Sequence, residues 1–148
     1  MMEWLNAREV KNIKNQIKAQ WGDSPDFKDY FFLKRRDDRV AMVSRSIEEL
    51  NVEHINTAGL YILRMVSKEP KLTIEGSQLV GPKATKNMVE LTEEELQQWI
   101  RGFDIQKEGF AKGFQIIKHK NDYAGCAKHL NGELHNMVPK ERRIKSLQ

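Results

Sequence analysis

Apolar positions follow several distinct rhythms along the chain. Val10, Ile13, Ile17 and Trp21 recur at steps of three and four, with Lys11, Lys14, Gln16 and Lys18 between them. That spacing predicts an amphipathic helix, ended by Gly22-Asp23-Ser24-Pro25. Tyr30-Phe31-Phe32-Leu33 and Val40-Ala41-Met42-Val43 flank a charged turn and predict an antiparallel hairpin. Ser46 to Leu50 reads as a turn or two of helix. Leu60 to Val66 is the strongest strand of this half, Lys71 to Thr73 a shorter one, and Ile74 to Leu79 a helical stretch stopped by Gly81-Pro82. Gly81 to Thr85 is the best linker.

The second half changes rhythm. Asn87 to Leu91 suits a short strand. Thr92-Glu93-Glu94-Glu95 has the spacing of a capping box, Leu96, Trp99 and Ile100 supply a buried face, and Gly102 suits the exit. Gly113 to Lys118 alternates like a strand, Tyr123 to His129 is the next, and Asn131-Gly132 is the signature of a two-residue type I′ turn. Glu133 to Val138 returns, and Pro139 stops the ladder. The expected class is α+β. A helix-and-sheet module over residues 1–85 precedes a small barrel-like β module over 86–148, with Leu96, Trp99, Phe114, Ile116, Leu134 and Val138 inside.

At 148 residues, 39% hydrophobic and 31% charged, the chain has the length of one ordinary domain or two small ones sharing an interface. No apolar run approaches the ~20 residues of a membrane span, and Met1 to Asn6 lacks the order of a secretory signal. The single cysteine, Cys126, excludes an intrachain disulfide. A cytoplasmic location is expected, without contact to a membrane. Charge is placed unevenly. Residues 112–148 carry a net +5, whereas the preceding 111 carry −1. A concentrated basic stretch is the footprint of a polyanionic partner.

Several chemistries fail on spacing. Gly76 to Lys83 approaches a P-loop, but Pro82 precedes Lys83 and removes a backbone N–H, and Ala84 stands where a magnesium-binding hydroxyl belongs. Cys126, His119, His129 and His135 are zinc-binding types without paired ligand spacing. Cys126 lies in a run of small residues typical of a packed strand. Glu93 to Glu95 are accounted for by the favourable placement of acids at a helix N-terminus. No Gly-rich dinucleotide loop follows a strand. The reading is therefore of no catalytic residues, no cofactor and no metal.

What remains is a basic β surface interleaved with aromatic and amide groups: Lys118, His119, Lys120, Tyr123, Lys128, Asn136, Lys140, Arg142 and Arg143. Cations hold phosphates and an aromatic ring stacks on an unpaired base. Asn136 either contacts a base or ribose, or caps the turn before Pro139.

These same stretches, Gly113 to His119, Tyr123 to Lys128, Asn131 to Asn136 and Val138 to Ile144, resemble the PUA-like RNA-binding domain. They are most similar to the version at the C-terminus of RsmF-type RNA cytosine-5 methyltransferases. Asn136, Pro139, Lys140 and Arg143 match its Asn-x-x-Pro-Lys segment and following Arg, Gly125 matches its strand glycine, and Arg101-Gly102 resembles the step at its entrance. Small stand-alone archaeal proteins with this domain, described as ribosome-biogenesis-like, are of similar length. Tyr30 to Leu33 followed by Arg39 to Ser44 resembles, in pattern, the module preceding the PUA domain in Nip-type ribosome-biogenesis factors. The resemblance implies a non-catalytic protein binding structured rRNA or tRNA, in ribosome biogenesis or as an RNA-modification accessory, with a methyltransferase or pre-ribosomal protein as a further partner. The methyltransferase activity does not carry over, because Cys126 follows Gly125 rather than proline. The rival reading is a protein-interaction adaptor whose basic sheet surface docks an acidic partner.

Overall fold

The structure, a computed structural model, describes residues 2–45 and 59–145. Strand β1 (Met2–Trp4) leads into helix α1 (Ala7–Trp21). Asn6 caps α1 in a box with Glu9, each side chain holding the other's backbone N–H, and Gly22 leaves the helix at φ 94°. Strands β2 (Tyr30–Arg35), β3 (Arg39–Ser44), β4 (Leu60–Val66) and β5 (Glu69–Leu72) follow, and the first sheet is a plain antiparallel meander, β1-β2-β3-β4-β5. The expected hairpin and both later strands are there; β1 was not anticipated. The helical turn expected at Ser46 to Leu50 lies outside the described residues.

Helix α2 (Ile74–Val80) starts at Thr73, whose hydroxyl accepts the N–H of Gly76. A 3-10 turn over Gly81–Lys83 continues it. The stretch expected as a linker is docked: the N–H of Thr85 donates to the Trp21 carbonyl at 2.7 Å, and the Tyr123 ring lies against Gly81.

The second sheet is built from β6 (Met88–Glu90), β7 (Ile105–Gln106), β8 (Gly113–His119), β9 (Asp122–Leu130) and β10 (Glu133–His135), in the order β6-β8-β9-β10-β7. β6 runs parallel to β8, and all other pairs are antiparallel. Asn131 and Gly132 take φ 54° and 76°, as a type I′ turn requires. The sheet curls into a half-barrel, and no ladder joins β6 to β7 among the described residues. Closure by strands is thus replaced by helix α3 (Glu93–Ile100), which connects the two edges and packs Trp99 under them. Edge strands of three and two residues are too short to complete a barrel.

Both faces of the second sheet are covered, which explains why β8 is buried almost continuously rather than alternately. Phe114, Ile116 and Cys126 face a core shared with Ile13, Ile17 and Trp21 of α1 and with Phe32, Val40, Ile62 and Leu72 of the first sheet. Ile117, Ala127 and Leu134 face a smaller core with Val89, Leu91, Trp99, Ile105 and Val138. Of the six residues expected inside, five are buried and Leu96 is half-buried. The larger core runs across the division at residue 85.

Candidate nucleic-acid interface

The basic residues singled out in the sequence occupy three places. Lys118, Lys120 and Tyr123 gather at the β8–β9 turn, where Lys118 and Tyr123 are register partners and the Lys118 ammonium lies 5.8 Å from the Tyr123 ring centroid. The N–H of Lys120 donates to Glu90 Oε1 at 2.9 Å, leaving its side chain outward. Tyr123 is half-buried with its ring on Gly81, where a Cβ would come within 2.3 Å of it. Lys128 lies five residues further along β9, roughly 16 Å away at the rise of an extended chain, opposite Phe114 and His135.

The third place is the segment after β10, and there the side chains divide. Lys140 is exposed on a 3-10 turn over Lys140–Arg142 and makes no ion pair among the described residues. Arg142 reaches back to α2, its Nη1 2.6 Å from Glu75 Oε1. Arg143 is half-buried: its Nε donates to the Val138 carbonyl at 3.0 Å, and its chain covers Gly102, where a Cβ would stand 2.5 Å from Arg143 Cδ. Gly102 takes φ 97°, so this glycine meets two demands at once.

Asn136 is the centre of that segment. Its Nδ2 donates to the carbonyls of Trp99 at 2.8 Å and Phe103 at 2.9 Å, its Oδ1 accepts the N–H of Val138, and its own N–H donates to Asp104 Oδ1 at 2.7 Å. Both amide protons are engaged inside the chain. Of the two roles open to Asn136 in the sequence, the hydrogen bonds seen are those of a cap, extended to the Trp99 carbonyl in the last turn of α3, which also accepts the Gly102 N–H, and to the Phe103 carbonyl just beyond the helix. The N–H of Ile144 adds a bond to the Ile100 carbonyl at 2.9 Å. Gly125, at φ 104°, gives passage to a neighbouring element: its N–H donates to Ser77 Oγ, and α2 packs against it through Ile74.

Residues 86–144 match the family model for the methyltransferase RsmF PUA domain. This part of the chain, about two-fifths of it, is a PUA-like domain resembling the C-terminal domain of RsmF. No curated protein matches the chain. PUA domains are non-catalytic RNA-binding modules, and in RsmF the domain sits beside a methyltransferase. The motif residues that carry the likeness, Gly102, Asn136 and Arg143, tie the tail of the PUA-like domain to the end of α3.

The cysteine and histidines singled out in the sequence each have a neighbour to bond or pair with in the fold. The Cys126 thiol donates to the Leu72 carbonyl at 3.3 Å, and complete burial pushes its pKa up to about 12, partly countered by that hydrogen bond and by Lys71. At pH 8 the thiolate fraction is then on the order of 10⁻⁴. Cys126 should therefore resist a disulfide-exchange reagent for as long as the protein stays folded and react stoichiometrically in denaturant; rapid labelling of native protein would show an accessible thiol. His119 Nδ1 donates to the Leu91 carbonyl and its Nε2 lies 3.0 Å from Glu93, while His129 Nε2 donates to the Lys107 carbonyl. His135 has Asp104 and Glu133 close by, a grouping in which Asp104 is exposed and accepts the Asn136 N–H through Oδ1, and the other two are half-buried. No helix of the described residues is long and apolar enough to cross a membrane.

A second basic surface escapes any reading by position in the chain. Arg39 on β3 is the register partner of Arg64 on β4, and Arg64 that of Lys71 on β5. Three cations thus stand in a row across three adjacent strands. They line a cleft of about 470 Å³ whose other wall is Glu75, Pro139, Glu141 and Arg142. Only strand pairing brings 39, 64 and 71 together, and no spacing within the sequence announces it.

Proposed function

We propose that the protein is a non-catalytic RNA-binding protein of the cytoplasm that acts on structured rRNA or tRNA, in ribosome biogenesis or as an accessory to RNA modification. The PUA-like domain over residues 86–144 carries this reading. The exposed or half-exposed cations Lys118, Lys120, Lys128 and Lys140 support it, because none of them is paired with an acid among the described residues. They hold phosphates, and phosphate contact supplies most of the affinity of such a surface. Tyr123 contributes a ring edge at the β8–β9 turn. Asn136 and Arg143 act one step back, by holding the segment that presents Lys140. A methyltransferase or pre-ribosomal protein is the further partner that the RsmF likeness suggests. The split into a module over 1–85, similar in pattern to the one preceding PUA in Nip-type factors, and the PUA-like module over 86–148 belongs to the same proposal.

Binding should fall steeply with salt, and its log–log slope measures the phosphate contacts. Replacing Lys120, Lys128 and Lys140 together by Ala should reduce the slope on a double-stranded RNA stem by about two to three, at about 0.9 per lost contact. Thermal stability should change little, since these side chains have no ion-pair partner to lose among the described residues. The measurement is a fluorescence titration of both proteins at several salt concentrations. A folded triple variant with the wild-type slope would remove these lysines from the interface. A wild type that binds no RNA at low salt, yet binds an acidic peptide, would establish the adaptor reading instead.

A further inference from the structure

Like charges directly opposite one another on neighbouring strands destabilise a sheet. The row Arg39, Arg64, Lys71 therefore calls for a compensating anion. The chain supplies only part of one. Asp37 places Oδ2 3.1 Å from Arg39 Nε, and its carbonyl accepts from Arg64 Nε at 3.1 Å, but Arg64 and Lys71 have no carboxylate partner among the described residues. Across the cleft Arg142 adds a fourth cation and uses Glu75 for itself.

Beside the row stands an aromatic ring. Tyr61 is 37% exposed on β4, with the Arg39 guanidinium 5.3 Å from its ring centroid. Burial pushes its phenol above the ordinary value, against the pull of Arg39 and Arg64, so the ring stays neutral. Strands lie about 4.8 Å apart, so the row is roughly 10 Å long. That suits two successive phosphates of an extended strand, and the cleft volume suits an unpaired nucleotide. Cations along a groove with an aromatic face beside them are what single-stranded nucleic acid uses.

We infer that this cleft is a second RNA site, separate from the lysines of the PUA-like domain, that takes an unpaired segment: phosphates on Arg39, Arg64 and Lys71, one base on Tyr61. Arg142 joins the two parts of the wall opposite the row, since it sits on the tail that the Asn136 cap holds and reaches Glu75 of α2. The inference rests on the protein's being an RNA binder, and it makes the target a stem with an adjoining single strand. The stem lies along the PUA-like face and the unpaired stretch enters the cleft.

The test compares three RNAs, a 12-nucleotide single strand, a 12-base-pair duplex, and that duplex with the single strand attached. Three proteins are used: wild type, Arg64→Ala/Lys71→Ala, and Tyr61→Leu. The double variant should lower the salt slope on the single strand by about 1.4, at about 0.7 per contact, and leave the duplex slope unchanged. Its melting temperature should equal or exceed that of wild type, because a like-charge row is relieved. Tyr61→Leu should weaken the single strand about 5- to 100-fold through lost stacking, without changing the slope. Wild type should prefer the attached RNA to the plain duplex, and both variants should lose that preference. Folded variants that bind all three RNAs as wild type does would overturn the cleft while leaving the proposed function standing. If Lys120→Ala/Lys128→Ala/Lys140→Ala also binds normally, or wild type binds nothing, the proposed function fails with it. Equal loss on duplex and single strand would reduce the cleft to non-specific charge. Displacement of the single strand by a polyglutamate peptide of equal charge would overturn it in favour of a protein ligand.

Discussion

Trp99→Ala should cost the protein about 3–5 kcal/mol, the usual penalty for deleting a buried aromatic side chain. Trp99 is completely buried between α3 and the curled sheet, packed with Val89, Leu91, Ile117, Leu134 and Val138. It also has a polar duty, because its indole N–H donates to the Ala124 carbonyl at 2.9 Å. The truncation leaves a cavity lined by these residues and takes the indole N–H from the Ala124 carbonyl at the wall of the cleft. For a chain of this length each kcal/mol moves the melting temperature by about 2–4 °C, so a drop of roughly 6–20 °C is expected. Trp99→Phe keeps most of the ring and loses the N–H, so it should fall between the two. Chemical denaturation followed by circular dichroism reads all three proteins. A Trp99→Ala protein within about 1 kcal/mol of wild type, a third of the smallest usual penalty for such a change, would mean that α3 does not close the half-barrel.

Asn136→Ala should have the next largest effect, about 2–4 kcal/mol. It leaves the Phe103 carbonyl and the Val138 N–H without their side-chain partner and the Trp99 carbonyl with only backbone donors such as the Gly102 N–H. Each unsatisfied buried group costs about 1–3 kcal/mol, less where water reaches it, as it does at Phe103. Asn136→Asp should be no better, since a carboxylate keeps the acceptor for Val138 and faces two carbonyls with no proton to give. RNA affinity per folded molecule, measured well below the melting temperature, should stay close to wild type. A base-reading Asn136 would show the reverse, wild-type stability with lost discrimination among RNAs. The two outcomes are exclusive enough for one denaturation curve and one binding panel to decide.

Glu95 shows how much of such local detail is written in the chain. Thr92 and Glu95 form the expected capping box, and Glu95 also holds Lys107 at 2.8 Å. Burial raises the Glu95 pKa, and the hydrogen bonds from Lys107 and Thr92 together outweigh it, so the net shift is downward. The cap could be read from three residues. Lys107, twelve positions away, could not, because only the path through β7 brings it back.

The same division holds for the whole molecule. Periodicity and turn chemistry determined α1, α2, α3, the β2–β3 hairpin, the Asn131-Gly132 turn and the α+β class, because those signals act over a few residues. The residues around Asn136 carried the PUA-like likeness as well, since Asn136, Pro139, Lys140 and Arg143 lie within eight positions of one another. Tertiary structure decided what those residues do. Asn136 turns inward because the end of α3 lies there with carbonyls to bond, and Arg143 because the Val138 carbonyl takes its Nε and Gly102 leaves room for its chain. The net positive charge along the chain falls in its last quarter, yet Arg39, Arg64 and Lys71 of the first half stand in a row. Charge counts add along the chain, whereas an electrostatic surface adds across space. Which cations stand side by side is set by strand register, and register depends on every pair in the sheet at once.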